Sequence, residues 1–351
     1  VIPLLDPISF ALYVVGYIVM LLVASAVAPR VASAVSGRFT LYGAMALAAA
    51  LIVLTTALVI YLFLTVAAPA VTRWGLNFFI GMILFVVFMN LVTYLASPYI
   101  INAAYGARPD ARLQRIVDEV ASRLGLAFRV RAVVVDGPPN AFAYGNLLTG
   151  RYVAVTTGML AIADRRELEA VIGHELGHHA HRDNALMLLF GLLPSVIYYL
   201  GISSVHMALA SSSESRGGGS AVLAIFGVIA VIISFLVQLL VLAFSRLREY
   251  YADMAGAIAA GKETMQFALT KIHKYYHVHP EDRETVRDSK FRTLFIYALV
   301  GAVANPFMAV TRRDVEELKR AEYPALMEIL STHPPIPKRL RFLDELQLGI
   351  P

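Results

Sequence analysis

The chain has 351 residues, of which 58% are hydrophobic and only 16% charged, with a net charge of +5 and no cysteine. An ordinary soluble chain is roughly 45–50% apolar and about 25% charged, so a conventional soluble enzyme and a disordered protein are both excluded. The missing cysteines remove disulfides, thiolate metal ligands and a thiol nucleophile together.

A span needs about 20 mostly apolar residues to cross the hydrocarbon core. Ile8–Ala28 is the first stretch that qualifies. Its small-residue end resembles a signal-peptidase site, but Asp6 stands where a signal peptide carries positive charge, so it reads as a retained span. Leu41–Val66 and Leu76–Ile101 are the second and third spans. Asp110–Leu124 then follows as an amphipathic helix, with Leu113, Ile116, Val117, Val120 and Leu124 on one face. Phe128–Asp136 alternates apolar and basic residues up to the Gly137-Pro138-Pro139 turn and reads as a strand. Two short strands are expected over Ala141–Tyr144 and Tyr152–Thr156, and Arg165–His181 returns to helical spacing. Ala185–Ala210 and Ala221–Ser245 are the fourth and fifth spans, joined by the polar connector Ser211–Ser220. The chain stays helical to about Ala260, where Gly261 stops it. Phe291–Val310 is apolar but carries Arg292 and Asn305-Pro306, and reads as a buried helix of a globular part.

Arginines orient the bundle. With the segment after the third span in the cytoplasm, that side holds Arg30, Arg38, Arg108, Arg112, Arg115, Arg182, Arg246 and Arg248, against Arg73 and Arg216 opposite. The expectation is a multi-pass cell-membrane protein with its N-terminus outside, whose basic side meets anionic headgroups of the lipid bilayer. No basic stripe with interleaved aromatics is present, so nucleic acid is not an expected partner.

The chemistry lies in Gly173-His174-Glu175-Leu176-Gly177-His178. On a helix His174 and His178 stand one turn apart and can bind one Zn²⁺, with Glu175 beside them to take a proton from water at the metal. A catalytic zinc takes three protein ligands. The metzincin extension would require Gly at position 181 and His at 184, where this chain has His181 and Asn184. A glutamate from a second helix is the other solution, and Arg248-Glu249-Tyr250-Tyr251-Ala252-Asp253 offers it. Glu249 would complete the ligands, while Asp253, one turn on, would accept the free ring N–H of a ligand histidine. Two spans separate His178 from Glu249, so the chain returns to the same side. His179 and His181 read as neighbours, and the His273/His277 pair and His206 as ordinary helix residues.

With the Ser245–Asp253 run, the Asn140-Ala-Phe-Ala segment and the late Thr332-His333-Pro334-Pro335, the chain resembles the HtpX-like membrane metalloproteases, relatives of the zinc-type CAAX prenyl protease. The resemblance covers about Asp110 to Leu343. It implies a cytoplasmic-facing gluzincin, with one Zn²⁺ per chain, that cleaves membrane or misfolded proteins in quality control. It also implies that Asn140, Ala141, Phe142, Ala143 and Tyr144 form an edge strand that pairs with extended substrate, and that His333 stands near the oxyanion. Three spans precede the zinc helix here, where HtpX-like proteins usually have two.

The expected fold is mainly α, a polytopic helical membrane protein with a zincin-type α+β catalytic domain carrying a small edge sheet. Residues 1–105 would hold three transmembrane helices, 106–184 the first part of the protease domain, 185–245 a transmembrane hairpin, and 246–351 the second part with the third ligand. Two rival readings are a processing protease for prenylated CAAX-type C-termini and a membrane scaffold or adaptor with a structural zinc. The retained Glu175 argues against the latter, because a structural site has no use for a base.

Overall fold

The computed structural model describes residues 38–66, 76–146, 148–181, 183–211, 219–279, 282, 310–323 and 333–346. The expected span Ile8–Ala28 and the expected helix over Phe291–Val310, apart from its last residue, lie outside them. Apolar runs form the long helices α1 (Arg38–Val66) and α2 (Leu76–Ala104). A two-residue strand, β1 (Arg108–Pro109), precedes α3 (Ala111–Arg123), whose cap Asp110 accepts from the Leu113 amide at 2.7 Å. Leu113, Ile116, Val117 and Val120 of α3 are buried, the face that helical spacing predicts.

Strands β2 (Val130–Val135), β3 (Ala141–Asn146) and β4 (Gly150–Thr156) come next. Helix α4 (Thr157–Ile162) leads to α5 (Arg165–Ala180), which opens on a reciprocal cap between Asp164 and Glu167. The remaining helices are α6 (Asp183–Ser211), α7 (Gly219–Ala260), α8 (Lys262–Val278), α9 (Arg312–Arg320) and α10 (Ile336–Glu345). Helix α7 merges the expected fifth span and the helix after it into 42 continuous residues. Gly261 then breaks it with φ +98°, a conformation that favours glycine.

The sheet order is β1-β2-β4-β3. β2 runs parallel to β4, and the two outer pairs are antiparallel, with Ala141 opposite Val155 and Asn146 opposite Gly150 at the β3 end. β3 is therefore a terminal strand of the sheet. Its Phe142 and Tyr144 are buried with Ile101, Val133, Val135 and Ala154.

The chain divides into two compact units. One contains Tyr42–Thr93 and Met187–Phe244 and is wholly helical among its described residues. Its core gathers Val196, Leu200, Met207, Ala208 and Leu223, while Leu54, Tyr61, Leu84, Phe88 and Ile225 are exposed. The other contains Tyr94–Leu186 and the chain from Ser245 on, and holds the sheet. Among the described residues two helices, Leu188–Leu209 and Ser220–Ala260, are long and apolar enough to cross a membrane.

Candidate metal centre

The site is built where α5 and α7 run unusually close, within the sheet-containing unit. A Cβ added at Gly173 would stand 2.6 Å from the Ala259 Cβ, and one at Gly177 3.0 Å from the Ala252 Cα. A Cβ at Gly256 would stand 2.7 Å from the Ala170 carbonyl oxygen. Only hydrogen at these three positions lets the two backbones touch, because real Cβ atoms cannot be accommodated in a packed interior. The close approach carries the Glu249–Asp253 turn of α7 beside the histidines of α5.

His174 and His178 lie on one face of α5 with ring centroids 5.0 Å apart and nearly perpendicular planes. His174 Nε2 is 3.6 Å from Glu249 Oε2, and His178 Nε2 is 3.6 Å from Glu249 Oε1. One ligand atom from each of the three residues lies within 4.8 Å of the others. Zn–N bonds near 2.0–2.1 Å in a tetrahedral arrangement set neighbouring donors about 3.4 Å apart, so this spacing suits a shared ion. The other His174 nitrogen, Nδ1, is 3.0 Å from Asp253 Oδ1, which fixes the ring and leaves Nε2 pointing at Glu249.

Two observations show that this group fits a cation. His174 Nε2 and Glu249 Oε2 are buried and have no hydrogen-bond partner, which an isolated protein interior rarely tolerates. Burial disfavours a charged His174 ring, yet the hydrogen bond to Asp253 and the Glu249 carboxylate facing Nε2 outweigh it and move its pKa up to about 9. The surroundings of this atom thus favour positive charge.

Glu175 is 2% exposed, and burial pushes its carboxyl above the usual carboxylate range. It faces the end of the sheet, where the Ala143 backbone N–H donates to it. His333 brings Nε2 to 3.5 Å from Glu249 Oε1, and burial lowers its pKa to about 4, so the ring is neutral. Asn140 is buried and joins β4 by its backbone: its N–H donates to Thr156 Oγ1 at 2.8 Å and its carbonyl accepts from the Thr156 amide at 2.9 Å. Ala141, Phe142, Ala143 and Tyr144 lie in β3, which continues to Asn146. His179 instead meets the Tyr152 carbonyl at 2.8 Å, and the His181 ring lies 4.5 Å from that of Tyr251.

One member of the cluster is missing from the sequence reading. Arg339 of α10 is 0% exposed and forms a two-point pair with Asp253, Nη2 to Oδ1 at 2.5 Å and Nε to Oδ2 at 2.8 Å. Its Nη1 lies 3.7 Å from Glu249 Oε2. Neighbouring Asp253 and Glu249 keep the guanidinium charged despite its burial. A signal was available: Arg339 lies on the stripe of Ile336, Leu340 and Leu343, whereas Arg341 is exposed. A charge on an apolar helix stripe calls for a buried partner.

Residues 107–347 match the family described as Peptidase family M48, and the match encloses every residue of this cluster. The chain belongs to peptidase family M48. This M48 enzyme is 70% identical over 345 residues to a Protease HtpX homolog of Pyrobaculum aerophilum, covering 98% of this chain and 99% of that one. It is 53% identical over 343 residues to a Protease HtpX homolog of Archaeoglobus fulgidus, covering 98% of each. The crystal structure of S. mikatae Ste24p shares its fold, with a TM-score of 0.53 and 17% identity over 88% of this chain and 68% of that one. The chain is thus a metalloprotease of the HtpX type, in accord with the resemblance noted from its motifs.

Proposed function

We propose that this M48 enzyme is an integral-membrane zinc endopeptidase that cleaves membrane or misfolded proteins at the cytoplasmic face. One Zn²⁺ per chain would be held by His174, His178 and Glu249. The carrying observation is the convergence of these three ligand atoms, two of them buried without a hydrogen-bond partner. A bound zinc would supply Lewis acidity and a lowered pKa for water.

The chain's own residues do the rest. Glu175 takes a proton from the attacking water and passes it to the leaving amine; its burial, which outweighs the lowering effect of His174 and His178, gives it the raised pKa suited to both transfers. His333, neutral and close to Glu249, donates its ring N–H to the developing oxyanion. Asp253 orients His174, and Arg339 holds Asp253. Substrate lies extended along Asn140–Tyr144 and adds to the side of β3 opposite β4 through main-chain hydrogen bonds, a mode that tolerates many sequences.

The membrane part of the proposal rests on two helices long and apolar enough to cross a membrane and on exposed Leu54, Tyr61, Leu84, Phe88 and Ile225, apolar surface that lipid would cover. Residues 1–105 and 185–245 would cross the bilayer, and 106–184 with 246–351 would form the protease on the cytoplasmic side, leaving the N-terminus outside. Single cysteines at 35, 73, 216 and 333 test this, because the chain has none of its own. An impermeant maleimide should separate 35 and 333 from 73 and 216, and labelling of 333 together with 216 refutes the topology.

The chemistry is tested by Glu175→Gln. The variant should keep its zinc and lose cleavage of casein by about 10²–10⁴-fold, the usual contribution of a positioned base. Substantial turnover by a zinc-loaded Glu175→Gln protein refutes the mechanism, and a chelator should abolish the wild-type activity.

A further inference from the structure

The end of β3 away from Asn140 is tied to helix α2 beside Pro98. Pro98 lies inside α2, and its ring nitrogen carries no hydrogen for the carbonyl of Tyr94 four residues earlier. That carbonyl accepts instead from Ser97 Oγ at 2.9 Å and from Asn146 Nδ2, the last residue of β3, at 3.1 Å. The same Nδ2 lies 3.3 Å from the Leu95 carbonyl oxygen. The other end of the amide closes the β3–β4 hairpin: Asn146 Oδ1 accepts from the Leu148 and Thr149 amides at 2.9 and 2.8 Å. Asn146 is buried, so each of these bonds matters.

A second tie lies two residues back on the same face of the strand. The Tyr144 hydroxyl donates to Asn102 Oδ1, again in α2, at 2.5 Å. Burial, reinforced by Tyr152, raises the Tyr144 pKa, so the phenol stays protonated and keeps this donor. Between Tyr144 and the buried start of the strand lies Ala143, whose N–H meets Glu175. The placement of β3 beside Glu175 therefore depends on two side-chain contacts with the Tyr94–Asn102 stretch of α2.

We infer that Asn146 and Asn102 are positioning residues: through them α2, at the carbonyl that Pro98 leaves open and at Asn102, holds β3 where an extended polypeptide can add to it. This rests on the substrate-strand reading given under the proposed function. No part of the contact falls among the groups of the metal centre. It makes α2 a support for substrate binding as well as a hydrophobic helix.

The test uses the full-length, zinc-loaded protein and a fluorogenic octapeptide long enough to span β3. Asn146→Asp keeps the Oδ1 acceptor for the hairpin and replaces the Nδ2 donor with an oxygen that the Tyr94 carbonyl repels; Asn102→Ala removes the second tie from the helix side. Each should raise KM about fivefold, the effect of one lost hydrogen bond, with kcat within twofold of wild type. Hydrogen exchange should quicken over residues 140–146 and stay unchanged over 174–178.

An unchanged KM in both variants overturns the inference, and so does a fall in kcat at constant KM, which reports only a smaller folded fraction. If Asn146→Asp does not fold, Asn102→Ala, which leaves the hairpin untouched, decides alone. Cleavage that survives Glu175→Gln refutes the proposed mechanism instead, and the KM of these variants is read independently of it.

Discussion

In the helical unit, the hydroxyls of Thr56, Ser195 and Ser204 bond to their own helix. Thr56 Oγ1 donates to the Ile52 carbonyl at 2.7 Å, Ser195 Oγ to Gly191 at 3.0 Å and Ser204 Oγ to Leu200 at 2.7 Å. In the sheet-containing unit the buried polar groups bond across the sequence: His174 with Asp253 79 residues away, and Arg339 with Asp253 86 residues away. These three hydroxyls satisfy carbonyls of their own helix, and close packing brings helices together at Gly201 and Gly227, where an added Cβ would stand 2.9 and 2.6 Å from the facing glycine's oxygen. In the sheet-containing unit, each of these polar groups is stable only if a distant segment arrives. Helix approach through glycine is common to both; only the sheet-containing unit uses it to assemble charge.

The comparison can be broken most sharply at Arg339. Arg339→Met leaves Asp253 buried with one partner fewer, and removal of one member of a buried pair typically costs about 3–5 kcal/mol. Thermal or denaturant unfolding of the sheet-containing unit should show that loss, and Arg339→Lys should fall between, because a lysine cannot form the two-point pair. A smaller loss than at Ser204 would erase the contrast between the units.

Next in size is Asp253→Ala, which frees the His174 ring. Zinc affinity, measured by chelator competition, should fall about 10–100-fold. Glu249→Ala should lose most of the metal, and equal zinc contents in this variant and wild type would move the third ligand elsewhere.

A matched pair of glycine changes sharpens the lesson further. Gly177→Ala and Gly201→Ala introduce comparable collisions, each expected to cost about 1–3 kcal/mol as overpacking. Only Gly177→Ala should also weaken zinc binding, because only there does the helix approach place a ligand. Equal zinc affinity in the two variants would mean that the α5–α7 distance does not govern the site.

The smallest effect is expected at Ser204→Ala. Its hydroxyl serves a carbonyl that already belongs to a helix, so stability should change by no more than about 1 kcal/mol in a denaturant titration.

Local order was legible in the sequence because it follows from spacing. The H-E-x-x-H turn sets His174 and His178 on one face, the i, i+4 step sets Asp253 with Glu249, and the apolar stripe of Leu113, Ile116, Val117 and Val120 announces α3. The strand expected over Phe128–Asp136 shortens to Val130–Val135, and the one expected over Ala141–Tyr144 gains Gly145 and Asn146, since boundaries depend on pairing partners that no local pattern contains. The merging of the fifth span with the helix after it was likewise invisible, because nothing local says whether a helix continues.

What only the tertiary structure decided is which distant groups meet. The sheet order places β3 at one end, beside Glu175, although β2 and β4 flank it in sequence. Gly173 and Gly177 acquire their purpose from Ala252, Ala255, Gly256 and Ala259, and Asn146 acquires its own from the carbonyl that Pro98 leaves open. Arg339 joins the candidate metal centre because Asp253, buried to satisfy His174, leaves an anion that needs a partner in the same water-free space. Spacing fixes the geometry within a helix turn; the pairing of buried charges depends on desolvation, which exists only once the segments have packed.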